Sequence, residues 1–214
     1  MKSDFTPREQ AIIPIAAHTA NGEIEQLQAS LNAGLDAGLT VNEIKEVLVQ
    51  MYAYTGFPRS LNALGTFMKV LEERKSKGIN DTEGTAGTPI PTGKSSLEIG
   101  GANQTKLIGQ EVKGALFDFA PAIDEYLKAH LFGDIFERGV LSWQDREIAT
   151  IAALANVKGL NSQLGSHYFI SMNNGITPAQ LKTFVEQMRK ACGDDVANNA
   201  AAVLDQVLAA IAKK

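Results

Sequence analysis

Apolar residues recur along most of this chain at spacings of three and four, the period of a helix with one buried face. After Thr40 they fall at Ile44, Val47, Leu48 and Met51. Phe117, Phe119, Ile123, Tyr126, Leu127 and Leu131 predict a further helix opening near Pro121. The starts are marked as well. Thr6-Pro7-Arg8-Glu9 reads as a capping box with proline at the first helical position: Thr6 accepts from a free backbone N–H, and Glu9 reaches back. Thr40 with Glu43 repeats the device, Ser142 can cap a helix running through Ala155, and Thr177-Pro178 with Gln180 opens another. Gly38 and Gly175 each follow an apolar helix and precede the next cap, where a left-handed residue ends a helix at least cost. No segment alternates apolar and polar long enough to predict a strand, so the expected fold class is all-α.

The pattern also occurs twice. Arg8-Glu9, an apolar stretch, Gly38-Leu39-Thr40 and Ile44-Lys45 are answered by Arg146-Glu147, an apolar stretch, Gly175-Ile176-Thr177 and Leu181-Lys182. Gly56-Phe57-Pro58 with Asn62-Ala63 is answered by Gly193-Asp194-Asp195 with Asn199-Ala200. The first pair is offset by 138 residues and the later ones by 137. Two copies of so long a unit imply a duplicated helical domain rather than a solenoid. Between them, glycines from Gly78 to Gly101 mix with Pro89, Pro91 and small polar residues, a composition that cannot order itself alone. The expected organisation is a first repeat over 1–75, a linker over 76–105, and a second repeat with a leading helix over 106–214. The linker is either disordered or a strap across a partner subunit.

Composition narrows the function. The net charge is −4 with no run of Lys or Arg, which leaves no electrostatic footprint for nucleic acid or an anionic membrane. The longest apolar stretches carry regular polar interruptions, so no bilayer span is expected. Residues 1–10 carry charges and a proline where a signal peptide needs an apolar core, and the expected location is cytoplasmic. Cys192 is the only cysteine, which excludes an intramolecular disulfide, a CxxC redox pair and a thiolate metal cluster. The histidines are His18, His130 and His167; none forms an HxxxH pair, and no metal site is expected.

Two groups of residues are candidates for chemistry. Glu147 and His167 lie on consecutive helices, and a carboxylate that orients an imidazole is an acid/base arrangement. The alternative is a structural hydrogen bond between two helices, with Glu147 and Arg146 serving the helix start. The first repeat has Ser30 at the position of His167, whereas a pair that served only to hold the helices together would be expected in both copies. Tyr52, Tyr54, Gly56, Phe57 and Pro58 form a turn that can wall an apolar pocket, with Arg59 and Asn62 as polar contacts; the alternative is a packed helix corner. Cys192 reads as a small buried residue rather than a nucleophile.

Phe136-Glu137-Arg138-Gly139-Val140-Leu141, then Asp145-Arg146-Glu147, Ile151-Ala152-Ala153-Leu154-Ala155, His167 and Asn174-Gly175-Ile176-Thr177 resemble the carboxymuconolactone decarboxylase family. The first copy resembles the same domain through Gly38-Leu39-Thr40, Glu43-Ile44 and Tyr54-Thr55-Gly56-Phe57-Pro58 with Asn62-Ala63. The resemblance implies a duplicated, all-helical, alkylhydroperoxidase D-like fold that self-associates as trimers or hexamers. The peroxidase branch of that superfamily carries a CxxC pair where this chain has Leu160 and Gln163, so cysteine-based peroxidase activity is not expected. The decarboxylase branch favours a histidine where this chain has Gln50 and Gln187, which counts against gamma-carboxymuconolactone itself as substrate. The expectation is a cofactor-independent carboxy-lyase acting on a small carboxylated or lactone metabolite. His167 and Glu147 would be its acid/base pair, and Arg146, Tyr54, Phe57 and Asn62 its substrate contacts. The competing expectations are a non-catalytic oligomeric binding or scaffold protein and, last, a redox protein acting through Cys192.

Overall fold

A computed structural model describes residues 4–213; Met1–Ser3, the start of the stretch read as leaderless, and Lys214 lie outside the described residues. Among those residues the chain forms helices and no strand. The first repeat is α1 (Pro7–Asn21), α2 (Ile24–Asp36), α3 (Val41–Thr55) and α4 (Phe57–Ser76). An intervening block follows: α5 (Ser96–Ile108), α6 (Ala115–Phe119), α7 (Pro121–Tyr126), a π-helical run Leu127–Ile135 and a 3₁₀ turn Phe136–Arg138. The second repeat is α8 (Trp143–Asn156), α9 (Asn161–Asn173), α10 (Pro178–Cys192) and α11 (Asp194–Ala212).

The helix starts are where the caps put them. Thr6 with Glu9, Thr40 with Glu43 and Thr177 with Gln180 all form reciprocal boxes. In α8 the box pairs Ser142 with Asp145, not with Glu147. By role, then, the counterpart of Glu9 is Asp145. The matching of Arg8-Glu9 with Arg146-Glu147 is corrected: Thr6 and Ser142 stand 136 residues apart, whereas the glycines after the two helices, Gly22 and Gly159, stand 137 apart. Because Asp145 serves the helix start, Glu147 turns inward.

The repeats interlock. α1 packs along α8, α1 also meets α10, and α3 meets α8. Ile12, Ile13, Ile15, Leu31, Leu48, Ile148, Ile151, Leu164 and Phe184 belong to one continuous core drawn from both repeats. Polar contacts cross the same seam: Arg8 Nη1 donates to Asp145 at 2.9 Å, Asn156 Nδ2 to the Ala17 carbonyl at 2.9 Å, and Gln187 Nε2 to Gln10 Oε1 at 3.0 Å. A smaller cluster of Leu107, Leu131, Phe132, Ile135, Phe136 and Ile170 seats the intervening block on this body.

The expected linker needs two corrections. Its first part is a strap over the chain's own first repeat: Val41 and Asn42 N–H donate to the Thr82 and Glu83 carbonyls at 2.9 Å, and Asp81 takes the Arg74 guanidinium at 2.8 Å. That contact ties the start of α3 without a partner subunit. Its second part is helical, because α5 opens at Ser96 from a Ser95–Glu98 capping box. Gly100 and Gly101 look like breakers but lie inside α5. A Cβ on Gly100 would overlap the Lys128 carbonyl oxygen, and one on Gly133 would overlap the Ser96 carbonyl. Glycine is needed there so that α5 and the π-helical run can cross backbone to backbone.

No helix among the described residues is long and apolar enough to cross a membrane.

Candidate functional site

Glu147 lies in the second turn of α8 and His167 in the middle of α9, and the packing of these helices brings the side chains together. His167 Nδ1 is 2.8 Å from Glu147 Oε2. Glu147 is 0% exposed, whereas the His167 side chain keeps 14%. A carboxylate accepts only, so Nδ1 carries the hydrogen and Nε2 is the nitrogen left for other work. Nε2 has no hydrogen-bond partner among the described residues.

Tyr54, at the end of α3, closes the pair from the first repeat; its ring meets the imidazole edge-on at 6.0 Å between centroids. Burial first, then the charge of Glu147, pushes the Tyr54 phenol above its ordinary range, so it stays protonated. Glu147 Oε1 and Arg146 Nε are buried without a hydrogen-bond partner among the described residues, and the buried Tyr54 hydroxyl has the Thr150 hydroxyl beside it. Buried polar groups are normally paired, so Glu147 Oε1, beside the acid/base pair, is an acceptor without its usual donor.

Arg146 is held elsewhere. It is 0% exposed, with Nη1 donating to Gln50 at 3.0 Å and Nη2 to Glu46 at 3.3 Å, and its guanidinium lies over the Phe136 ring. Gln50 returns a bond from Nε2 to the Arg146 carbonyl at 2.9 Å and another to Thr150 at 3.0 Å. Glu46 also takes Arg138 Nε at 2.7 Å. Burial lowers the pKa of Arg146 against the pull of Glu46. The expectation of Arg146 as a carboxylate anchor is therefore corrected: the side chain is fully buried, and its Nη1 and Nη2 donors join α3 to α8. Gln50, noted only as a departure from the family pattern, is the other half of that joint.

Phe57 and Asn62 are also corrected as pocket residues. Phe57 is 62% exposed and stacks outward on Tyr52 at 4.4 Å, and Asn62 lies exposed on α4. Sequence reasoning missed the first repeat's own histidine contact. His18 Nδ1 meets Ser30 Oγ at 3.0 Å, and Nε2 meets the Ala191 carbonyl at 3.1 Å. The position equivalent to His167 thus holds a serine served by a histidine from α1. Both His18 nitrogens are engaged, so the two sites are not copies of one another. Cys192, at the end of α10, is partly buried, and burial and then Glu23 push its thiol up to about 12.

Beyond Tyr54 lies a cleft of about 700 Å³ at the end of the bundle, lined by both repeats and including Arg59, Asn156, Lys158 and Asn161. No group of three or more His, Cys, Asp or Glu among the described residues could hold a metal ion.

A duplicated alkylhydroperoxidase D-like helical bundle, with a buried carboxylate–imidazole pair in its second repeat and no CxxC pair, is the class that this fold and site define. The model of the carboxymuconolactone decarboxylase family matches residues 1–67 and 121–206, and the chain belongs to that family. No curated protein matches the chain.

Proposed function

We propose that the protein is a cofactor-independent carboxy-lyase acting on a small carboxylated or lactone metabolite, with His167 and Glu147 as its acid/base pair. The observation that carries this reading is the asymmetry of His167: Nδ1 is fixed on a buried carboxylate at 2.8 Å, and Nε2 is open. Loss of CO2 leaves an electron pair on the substrate carbon. Protonated His167 delivers its Nε2 proton to that carbon, Glu147 steadies the imidazolium beforehand, and solvent returns the proton. In this reading the Tyr54 hydroxyl donates to the developing negative charge. The test is a CO2-release assay on lactones, muconate-like diacids and keto acids, comparing wild type with His167→Gln and Glu147→Gln. Turnover should fall about a hundredfold or more in either variant. Equal turnover in all three proteins would overturn the reading.

Self-association belongs to the same proposal. Phe57, Leu61 and Met68 on α4 are all more than 60% exposed, and α6 and α7 contain no buried residue while presenting Leu116, Phe119, Ile123 and Tyr126. Contiguous apolar faces of this kind mark interaction surfaces. Light scattering should give a multiple of 22.9 kDa, trimer or hexamer, and Phe57→Ser with Leu61→Ser should reduce it. A wild-type monomer at all concentrations refutes this part.

A further inference from the structure

We infer that α4 packs antiparallel against α4 of a second copy of this chain, about a twofold axis at Gly65. This rests on the self-association proposed above and gives it one face and one symmetry. Phe57, Leu61, Leu64, Met68 and Leu71 step by four and three residues in turn, the spacing of a seam that one helix offers another. Leu64 and Leu71 lean partly on the chain's own core, whereas Phe57, Leu61 and Met68 stand out in solvent.

Gly65 lies in the middle of that seam. A glycine inside a helix is destabilising, because it gives up more backbone freedom than any other residue. At Gly100 and Gly133 the chain's own packing requires it, since a Cβ there would overlap a carbonyl oxygen. A Cβ on Gly65 would meet nothing within 4 Å. Nothing inside the subunit accounts for this glycine, and the exposed Leu61 and Met68, about one turn to either side, mark the place where a second helix comes close. Gly101 is as open, but it borders a groove lined by Glu98, Lys106, Asp124, Glu125 and Lys128, which suits water rather than a helix.

The two ends of α4 set the direction. The helix opens from Gly56 with no side-chain cap and no acidic residue in its first turn, so its free N–H groups lack a counter-charge. Near its far end Glu72 is exposed and has no hydrogen bond or ion pair to any described residue. In an antiparallel pair crossing at Gly65, residues equally far before and after it meet. Pro58, seven residues before, then faces Glu72, seven residues after, of the second copy. Each copy's carboxylate is laid over the other's uncapped start. A parallel pair would set Glu72 against Glu72 and leave both starts bare. Such a contact is isologous and joins copies in twos, which selects the hexamer over the trimer.

Single introduced cysteines treated with a short bis-maleimide read the axis directly, because only a residue near a twofold axis meets its own copy. Cys192 stays in place, and wild type, which should not cross-link, is the control. Gly65→Cys should cross-link to itself. Glu72→Cys should not, since its two copies lie about 20 Å apart along the helices. A mixture of Pro58→Cys and Glu72→Cys proteins should give the mixed dimer on a denaturing gel. Gly65→Gln should keep its helix content by circular dichroism and weaken the self-association constant about tenfold or more in sedimentation. The proposal is overturned if Glu72→Cys cross-links to itself as fast as Gly65→Cys, if Gly65→Gln associates as wild type does, or if light scattering gives a trimer. A wild-type monomer at every concentration would sink self-association as a whole. A wild-type multimer without the Gly65 cross-link would sink the α4 contact alone.

Discussion

Replacing His167 by alanine removes the only hydrogen-bond partner that a fully buried carboxylate has among the described residues. Glu147 Oε2 loses its 2.8 Å contact, and Oε1 has none to fall back on. Breaking a buried pair by deleting one member costs about 3–5 kcal/mol, most of it the uncompensated charge rather than the lost bond. For a chain of this length, each kcal/mol moves Tm by about 2–4 °C, so His167→Ala should melt roughly 6–20 °C below wild type. If the charge is the cause, Glu147→Gln added to His167→Ala should restore about half of the loss or more. Scanning fluorimetry on wild type, both single variants and the double closes the cycle. A single variant within about 1 °C of wild type, or a double no better than His167→Ala, would refute the buried-charge argument. The cycle also shows that a stability loss in His167→Ala is no evidence against catalysis. A buried partner makes the same histidine structural and chemical at once, so turnover must be read well below the variant's Tm.

Arg146→Met should cost about 3–5 kcal/mol in urea unfolding, because it strands Gln50 and half of Glu46 in the seam between repeats; unchanged stability with weakened substrate affinity would instead restore its role as an anchor. Cys192 should resist alkylation in the folded state at pH 8. With its thiol pushed up to about 12, the thiolate fraction there is about 10⁻⁴, and labelling should rise sharply on denaturation. The sign for stability follows: the unfolded thiol ionises near 8.5 and the folded one near 12, so this group disfavours the fold progressively as pH climbs between those values. Rapid labelling of the native protein at pH 8 would contradict both statements. Gly100→Ala should force α5 off the π-helical run, seen as faster amide exchange across Ser96–Ile108 with the α1–α8 core still protected; unchanged exchange would show that the crossing has slack.

Features encoded locally were the legible ones. Thr6, Thr40 and Thr177 carry their capping partner three residues on, and the helices start there. The Glu147–His167 juxtaposition was legible for a similar reason, since consecutive antiparallel helices must lie side by side. What depended on distant partners was not. Gly100 reads as a breaker until Lys128 is seen to cross it, and Arg146 reads as a free cation until Glu46 and Gln50 arrive from the other repeat. Phe57 has the composition of a pocket wall, and only the stacking on Tyr52 shows that it faces out. The near-identity of Arg8-Glu9 and Arg146-Glu147 misled because a two-residue match carries no information about which residue caps.

The strap that joins the repeats has a consequence for how this molecule can change. Two identical subunits meeting along an α1–α8 type seam would carry every substitution twice, once on each side of the axis. A single covalent chain carries it once. The position that is Ser30, met by His18, in one half and His167, met by Glu147, in the other is that freedom written into side chains. Each half supplies the other's core, so neither need be a working site to be retained. One half is thereby released to vary its chemistry while its partner keeps the architecture upright.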